Sequence, residues 1–113
     1  MILHELGSKE GVTVVELSGH MGLTAVQEIE RDFKKATAGK GQSVVVDMHG
    51  VDYISSFGVR LFLDVIQELE KKGKKLVFVA PSPDVEKVLL ACEMDTLAGI
   101  EPTIDGAVAK AKA

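Results

Sequence analysis

Apolar residues recur along the chain with two periods that alternate from one segment to the next. Residues 12–17, 43–47 and 75–80 are short runs rich in valine and other apolar residues, as expected for buried strands. The segments that follow them space their apolar residues three or four positions apart, which is the period of amphipathic helices. The pattern therefore predicts strands that alternate with helices.

The N-terminal segment predicts an antiparallel hairpin. Residues 1–6 are a short candidate strand and residues 12–17 are a second one. The segment 7–11 between them has glycine at both ends, which is typical of turns. Residues 18–23, after the second strand, are predicted to form a loop that leads into the first helix.

Two helices carry recognisable start signals. The first is predicted to begin at Thr24, with Gln27 three residues later completing a capping box. The third is predicted after Ser82, an N-cap serine followed by proline at the first helical position. Cys92 falls on the apolar side of that third helix, so it is predicted to be a small core residue rather than a reactive thiol.

The order of the elements defines the expected fold class. Residues 97–100 are a candidate edge strand, and a last short helix is predicted after Pro102. The expected architecture is α/β, with a mostly parallel sheet after the N-terminal hairpin and about four helices covering it. The strands 44–46 and 76–79 should be central. No linker or repeat interrupts the pattern, so residues 1–113 are predicted to form a single domain.

Composition narrows the classes of function. The 113 residues include 13 Lys and Arg against 17 Asp and Glu, and the resulting net charge of −4 argues against a nucleic-acid-binding surface. A single cysteine leaves no intrachain disulfide, so a reducing compartment is expected. No signal peptide is evident, and no apolar run approaches the ~18 residues of a membrane span. The protein is therefore predicted to be cytoplasmic, without membrane insertion.

The segment between the third strand and the second helix holds the candidate chemistry. A turn is predicted at His49 and Gly50, two serines follow at Ser55 and Ser56, and the helix is predicted over residues 56–71. A serine just before a helix is an N-cap signal. A phosphate at the same place would meet free backbone N–H groups and the positive end of the helix dipole. The serines are therefore candidates both for a cap and for a regulated modification.

The second helix distributes its apolar residues over two sides. The predicted core stripe comprises Val59, Phe62, Leu63, Ile66 and Leu69. Phe57 and Leu61 lie off that stripe, on the side of Arg60 and Asp64. Exposed apolar residues flanked by charge are typical of interface centres, so both are predicted to be partly exposed and to bind a partner. The alternative is that the loop 18–23 folds over them.

Other chemistries find less support in the residues. The three histidines show no ligand spacing, and no metal or cofactor site is predicted. They are His4, His20 and His49. Ser56 with a histidine and an aspartate would resemble a hydrolase, but Ile54 stands where a nucleophile elbow needs glycine. Asp47 lacks the acidic pair of a phospho-acceptor domain, so its expected role is to bond the backbone of the turn that follows it.

The run from 46 to 60 resembles the signature of STAS domains, the bacterial anti-sigma-factor antagonists and their relatives. It has an apolar strand ending in Asp47, a short turn, Tyr53, an apolar residue, two serines, one further residue and Gly58. The resemblance extends over nearly the whole chain and implies a STAS-like α/β domain. In phosphorylatable members the acceptor is the serine two residues before the glycine, which is Ser56 here.

The resemblance implies a regulatory binding protein rather than an enzyme. An anti-sigma factor of the serine-protein kinase type would phosphorylate the acceptor, and a serine phosphatase would restore it. The unmodified protein would bind the anti-sigma factor and so free the sigma factor. The expected partner-binding residues surround the acceptor and are Ser55, Ser56, Phe57, Arg60, Leu61, Asp64, His20 and Met21.

Two other functions are compatible with the sequence. One is a non-phosphorylated STAS subunit of a larger assembly, such as a stressosome-like or lipid-transport complex. The other is a small-molecule sensor or minor enzyme. Three positions depart from the pattern common among phosphorylatable members: Ser55 stands for aspartate, Phe57 for a small residue, and Gly22 for an aspartate in the loop before the first helix.

Overall fold

Strands and helices alternate along the chain in the computed structural model, which describes residues 1–113. The elements are β1 (Ile2–Lys9), β2 (Val12–Met21), α1 (Leu23–Ala36), a 3₁₀ turn (Ala38–Lys40), β3 (Val44–Ile54), α2 (Ser56–Lys71), β4 (Leu76–Val79), α3 (Pro83–Ala91), α4 (Met94–Leu97), β5 (Gly99–Glu101) and α5 (Ile104–Lys112). None of these helices combines the length and the apolar character that crossing a membrane requires.

The five strands form one sheet in the order β1-β2-β3-β4-β5. The β1–β2 pair is antiparallel and the other three pairs are parallel. This arrangement confirms the predicted α/β class, with a hairpin leading into a parallel sheet and β3 at its centre. The parallel connections require crossovers, and helices supply them, as is usual for parallel strands.

The helices pack on the two faces of the sheet unequally. The larger core lies between the sheet and α1, α2 and α3, where Phe33, Phe62 and Phe78 meet edge to face with centroids 5.7 and 5.0 Å apart. The smaller core lies on the other face, where Ala107 and Val108 of α5 pack on valines of β2, β3 and β4. Polar residues of β1, β2 and β3 also point to this second face, beyond the apolar cluster under α5.

The strands β2 and β3 are longer than the apolar pattern predicts. β2 continues to Met21, so the prediction of a loop over 18–23 was wrong. β3 continues to Ile54, so the turn predicted at His49 and Gly50 was also wrong. Two register shifts, after Glu16 and after Gly19, let β3 carry extra residues while the two strands remain paired. These bulges preserve backbone pairing where the local residues favour a turn.

The first helix begins without the predicted cap. Gly22 occupies the N-cap position and makes no side-chain hydrogen bond, and Leu23 is already helical. The capping box of Thr24 and Gln27 was therefore wrong, because the long β2 strand leaves only Gly22 between its end and the helix. The start signal at the third helix was right, since the hydroxyl oxygen of Ser82 accepts a hydrogen bond from the backbone N–H of a first-turn residue.

The C-terminal part of the chain differs in two details. Cys92 is exposed rather than part of the core, because α3 ends at Ala91 and Cys92 occupies the C-cap. The sequence did not predict the one-turn helix α4. Its Met94 is fully buried and occupies the core instead of Cys92. The edge strand is present as Gly99–Glu101, which begins two residues later and ends one residue later than the predicted 97–100, and it pairs parallel to β4.

Candidate functional site

The first turn of α2 sits directly on the ends of β2 and β3. The backbone N–H of Ser55 donates to the carbonyl oxygen of Met21 across 3.0 Å. A Cβ atom at Gly58 would lie 2.8 Å from Cγ1 of Ile54 and 3.3 Å from Cε of Met21. The glycine of the signature is therefore required by close packing, which fixes the height of the two serines above the sheet.

The two adjacent serines have different environments. Ser55 is the N-cap of α2, is half-buried, and accepts a hydrogen bond on Oγ from the backbone N–H of Gly58 at 3.4 Å. Ser56 is the first helical residue, is exposed, and its hydroxyl makes no hydrogen bond within the protein. The first turn of α2 contains no acidic residue. The cap role therefore belongs to Ser55, and the hydroxyl of Ser56 is free to react.

Two exposed aromatic residues lie within three positions of Ser56 in the chain. Phe57 and Tyr53 are 48% and 46% exposed. The ring of His20 stacks on Tyr53 with centroids 4.3 Å apart and an angle of 14° between the planes. Nδ1 of His20 also lies 3.2 Å from a carboxylate oxygen of Asp52. We call the exposed residues His20, Tyr53, Ser56 and Phe57 the rim surface, because they lie at the carboxyl ends of β2 and β3 and on the first turn of α2.

Several of the predicted partner residues lie on the rim surface or further along α2. Phe57 is partly exposed, as predicted, and His20 and Arg60 are exposed as well. Asp64 is half-buried, and its carboxylate lies 3.6 Å from the ammonium group of Lys34 on α1. These side chains are therefore accessible to a partner to different degrees, and Asp64 is already paired within the protein.

Two of the predicted partner residues are buried. Leu61 is only 2% exposed and Met21 is fully buried, so the predictions that they are accessible to a partner were wrong. Leu61 belongs to the larger core with Val26, because α1 packs against that side of α2. Helical spacing separated Leu61 from the face toward the sheet, but it could not show that a second helix covers the side where Leu61 lies.

A shallow groove runs from the rim surface along the contact between α1 and α2. Its volume is about 190 Å³, and Leu23, Phe57, Arg60 and Leu61 are among its lining residues. Leu23 is 44% exposed and, like Tyr53, was not among the predicted partner residues. Tyr53 lies in the signature-like run 46–60 and could have been identified from the sequence. Leu23 could not, because only the observed start of α1 places it beside the groove. The groove offers an apolar floor with charged edges to a partner side chain.

A second polar cluster lies on the sheet face that carries α5. Oδ1 of Asp47 accepts hydrogen bonds from the backbone N–H of His49 at 3.1 Å and pairs with its Nδ1 at 2.8 Å. The backbone bond is the role predicted for Asp47, although it forms within a strand. The hydrogen bond and charge of Asp47, with a smaller contribution from Glu16, raise the pKa of His49. Neither His49 nor His20 hydrogen bonds to the hydroxyl of Ser56, as a hydrolase would need.

Comparison with known proteins gives several anti-sigma factor antagonists. The chain is 29% identical over 85 residues to an anti-sigma F factor antagonist from Lysinibacillus sphaericus, which covers 74% of this chain and 72% of that protein. The fold matches an anti-sigma factor antagonist from Mycobacterium paratuberculosis with a TM-score of 0.84 and 21% identity, over 99% of this chain and 96% of that one.

The fold also matches the antagonist SpoIIAA in two chemical forms. The unphosphorylated form aligns with a TM-score of 0.80 and 20% identity, over 98% of this chain and 96% of that one. The phosphorylated form from Bacillus aligns with a TM-score of 0.72 and 21% identity, over 96% and 98%. The family model described as STAS domain matches residues 5–107, which is most of the chain. The chain therefore belongs to the STAS domain family.

Proposed function

We propose that this protein is an anti-sigma-factor antagonist whose rim surface binds a kinase-type anti-sigma factor and is switched by phosphorylation of Ser56. The names of its relatives support the general role. The observation that carries the switch is the position of Ser56, exposed and without a hydrogen-bond partner beside the exposed ring of Phe57. Ser55 is a poorer acceptor, because its oxygen already caps α2.

A phosphate on Ser56 is compatible with the fold. The first N–H groups of a helix have no intrahelical acceptor, and the helix dipole favours negative charge at that end. No acidic residue of the first turn would repel the phosphate. Arg60, four residues further along α2, is exposed and lies on the same side of the helix. Modification is therefore expected to leave the free energy of unfolding nearly unchanged.

The same phosphate would oppose binding at the rim surface. Phosphoserine carries about −1.5 to −2 charges near pH 7. A partner that packs on Phe57 and Tyr53 would have to remove water from that charge, and an unpaired buried charge is costly. Modification therefore acts on binding rather than on folding, which is what a reversible switch requires. The occurrence of phosphorylated and unphosphorylated forms of SpoIIAA with this fold is consistent with the proposal.

The decisive experiment measures binding and labelling of matched serine variants with the cognate kinase-type anti-sigma factor. Ser56→Asp should bind at least ~10-fold more weakly than the parent, equivalent to about 1.4 kcal/mol, with an almost unchanged melting temperature. Ser56→Ala should bind like the parent and remain unlabelled by intact-mass analysis. Ser55→Ala is the control and should still accept phosphate, which a serine phosphatase should remove.

Two results would count against the proposal. One is labelling of Ser55 instead of Ser56, and the other is parent-like binding by Ser56→Asp. A pull-down from the native host separates the switch from the alternative role. An anti-sigma factor that co-purifies only with the unphosphorylated chain supports the switch. Recovery of an unmodified chain within a multi-subunit assembly would instead support a non-phosphorylated STAS subunit.

A further inference from the structure

Four ligand-type side chains lie side by side on three adjacent strands. The strand register pairs His4 of β1 with Glu16 of β2, and Glu16 with Asp47 of β3. The three therefore point to the same face of the sheet, and His49, two residues after Asp47, joins them. The residues were unremarkable in the sequence because 43 positions separate His4 from Asp47 in the chain. Only the sheet brings them together.

The distances within this cluster are close to those of a metal site. One donor atom each from Glu16, Asp47 and His49 lie within 4.8 Å of one another. Nδ1 of His4 lies 3.3 Å from Oε1 of Glu16. Ligand atoms about 2.0–2.2 Å from a tetrahedral ion are roughly 3.4 Å apart, so small side-chain rotations would bring Glu16, Asp47 and His49 around an ion. His4, which contacts only Glu16 of these three, would have to turn toward Asp47 and His49 to complete the set.

We propose that this cluster binds a divalent transition-metal ion of the zinc class, with Glu16, Asp47 and His49 as ligands and His4 as the fourth. Two imidazole nitrogens and two carboxylate oxygens suit zinc, cobalt, nickel or copper, whereas magnesium and calcium prefer oxygen ligands alone. The two carboxylates also neutralise the charge of the ion. The site is separate from the rim surface and does not depend on the proposed switch.

A carboxylate that is held in place and has one oxygen without a protein hydrogen bond is the second reason for the assignment. The side chain of Asp47 is only 10% exposed, yet both of its hydrogen bonds reach the same oxygen, Oδ1. Its other oxygen, Oδ2, accepts no hydrogen bond from the protein. That oxygen is reached by solvent, because no buried side-chain oxygen or nitrogen of the protein lacks a hydrogen-bond partner. An ion arriving from solvent could therefore be coordinated by Oδ2 while Oδ1 keeps its hydrogen bond from the backbone of His49.

The strands around the cluster hold its backbone in place and leave its histidine side chains accessible to solvent. Asp47 lies in the central strand, and a Cβ at the neighbouring Gly50 would lie 2.8 Å from Cβ of Ser18, so the bulge that positions His49 is tightly packed. The side chains of His4 and His49 are 60% and 61% exposed, so an ion can reach the cluster from solvent. The strands therefore hold the carboxylates in place, and the imidazoles remain open to solvent.

The test is zinc titration of the untagged, chelator-treated protein by calorimetry, with cobalt absorption as the spectroscopic check. The parent should bind one ion per chain, gain thermal stability, and show the intense visible bands of four-coordinate cobalt. His49→Ala and Glu16→Gln should each lower the affinity at least ~10-fold. Both changes are at solvent-accessible side chains, and equal melting temperatures in chelator would establish that the variants fold.

The chain offers a matched control in a second exposed histidine. His20 also pairs with a carboxylate, at 3.2 Å from Asp52, but no further ligand-type group joins that pair. His20→Ala should therefore bind zinc like the parent. The proposal is overturned if the parent takes up no more zinc than His49→Ala does. It is equally overturned if His20→Ala loses as much affinity as His49→Ala, because zinc would then bind exposed histidines indiscriminately.

Discussion

Two histidine–carboxylate pairs occupy the two bulged regions of β2 and β3, and their surroundings differ. His20 and Asp52 pair across 3.2 Å on the rim surface, and both side chains are mostly exposed. His49 and Asp47 pair across 2.8 Å on the sheet face, where the carboxylate is only 10% exposed. The rim pair lies against the ring of Tyr53, whereas the face pair lies among further polar ligand-type groups.

In the two proposals, depth in the sheet, rather than the residue pair itself, determines the chemistry assigned to each pair. At the strand ends the pair is exposed and its interaction is weak, and the apolar rings beside it provide the area that the proposed partner would cover. In the middle of β3 the same kind of pair holds a carboxylate in a fixed position, which suits the coordination of an ion. The predictions below test whether substitutions of exposed residues and of buried residues differ in their effects as this comparison requires.

The largest expected effect lies at the boundary between the rim surface and the core. Leu61→Ala should reduce the free energy of unfolding by about 2–5 kcal/mol, because it opens a cavity between α1 and α2. Phe57→Ala, four residues earlier and 48% exposed, should cost less than ~1 kcal/mol. Urea denaturation measures both. Equal losses of unfolding free energy at the two positions would show that Phe57 is a core residue and does not belong to the rim surface.

The general architecture could be predicted from the apolar pattern because it depends on local periodicity. The valine runs of β3 and β4 and the start signal at Ser82 are carried by neighbouring residues alone. The length of β2, the bulges and the burial of Leu61 depend on pairing or packing with distant segments. Local propensity cannot contain that information, and at His49 and Gly50 it favoured a turn that strand pairing overrode.

An intermediate effect is expected from the two aspartates of the compared pairs. Asp47→Ala should cost about 1–3 kcal/mol of unfolding free energy in chelator, because the backbone N–H and the ring of His49 lose their shared acceptor. Asp52→Ala should stay within ~0.5 kcal/mol, since the carboxylate it removes is exposed. Thermal and urea melts provide both values. A larger loss for Asp52→Ala would contradict the role assigned to depth.

The candidate site was predictable to the extent that it lies on one short segment. Ser56 and Phe57 could be identified from the signature-like run and from the helical period. The stack of His20 on Tyr53 arises where β2 pairs with β3, and Leu23 lies where α1 packs against α2, so no local signal reveals them. The polar cluster on the other face was missed for the same reason, because its members are scattered in the chain and adjacent only in the sheet.

The smallest expected effect separates the two serines. Ser55→Ala should lower the free energy of unfolding by about 0.5–1 kcal/mol, in the lower part of the range for lost N-caps, because its hydrogen bond to Gly58 is long at 3.4 Å. Ser56→Ala should leave stability unchanged, because its exposed hydroxyl has no partner to lose and alanine is a good helix former. The difference is small but measurable by paired urea titrations at a common slope. If Ser56→Ala proves the more destabilising change, its hydroxyl is the true cap of α2, and the physical argument for placing the phosphate there rather than on Ser55 no longer holds.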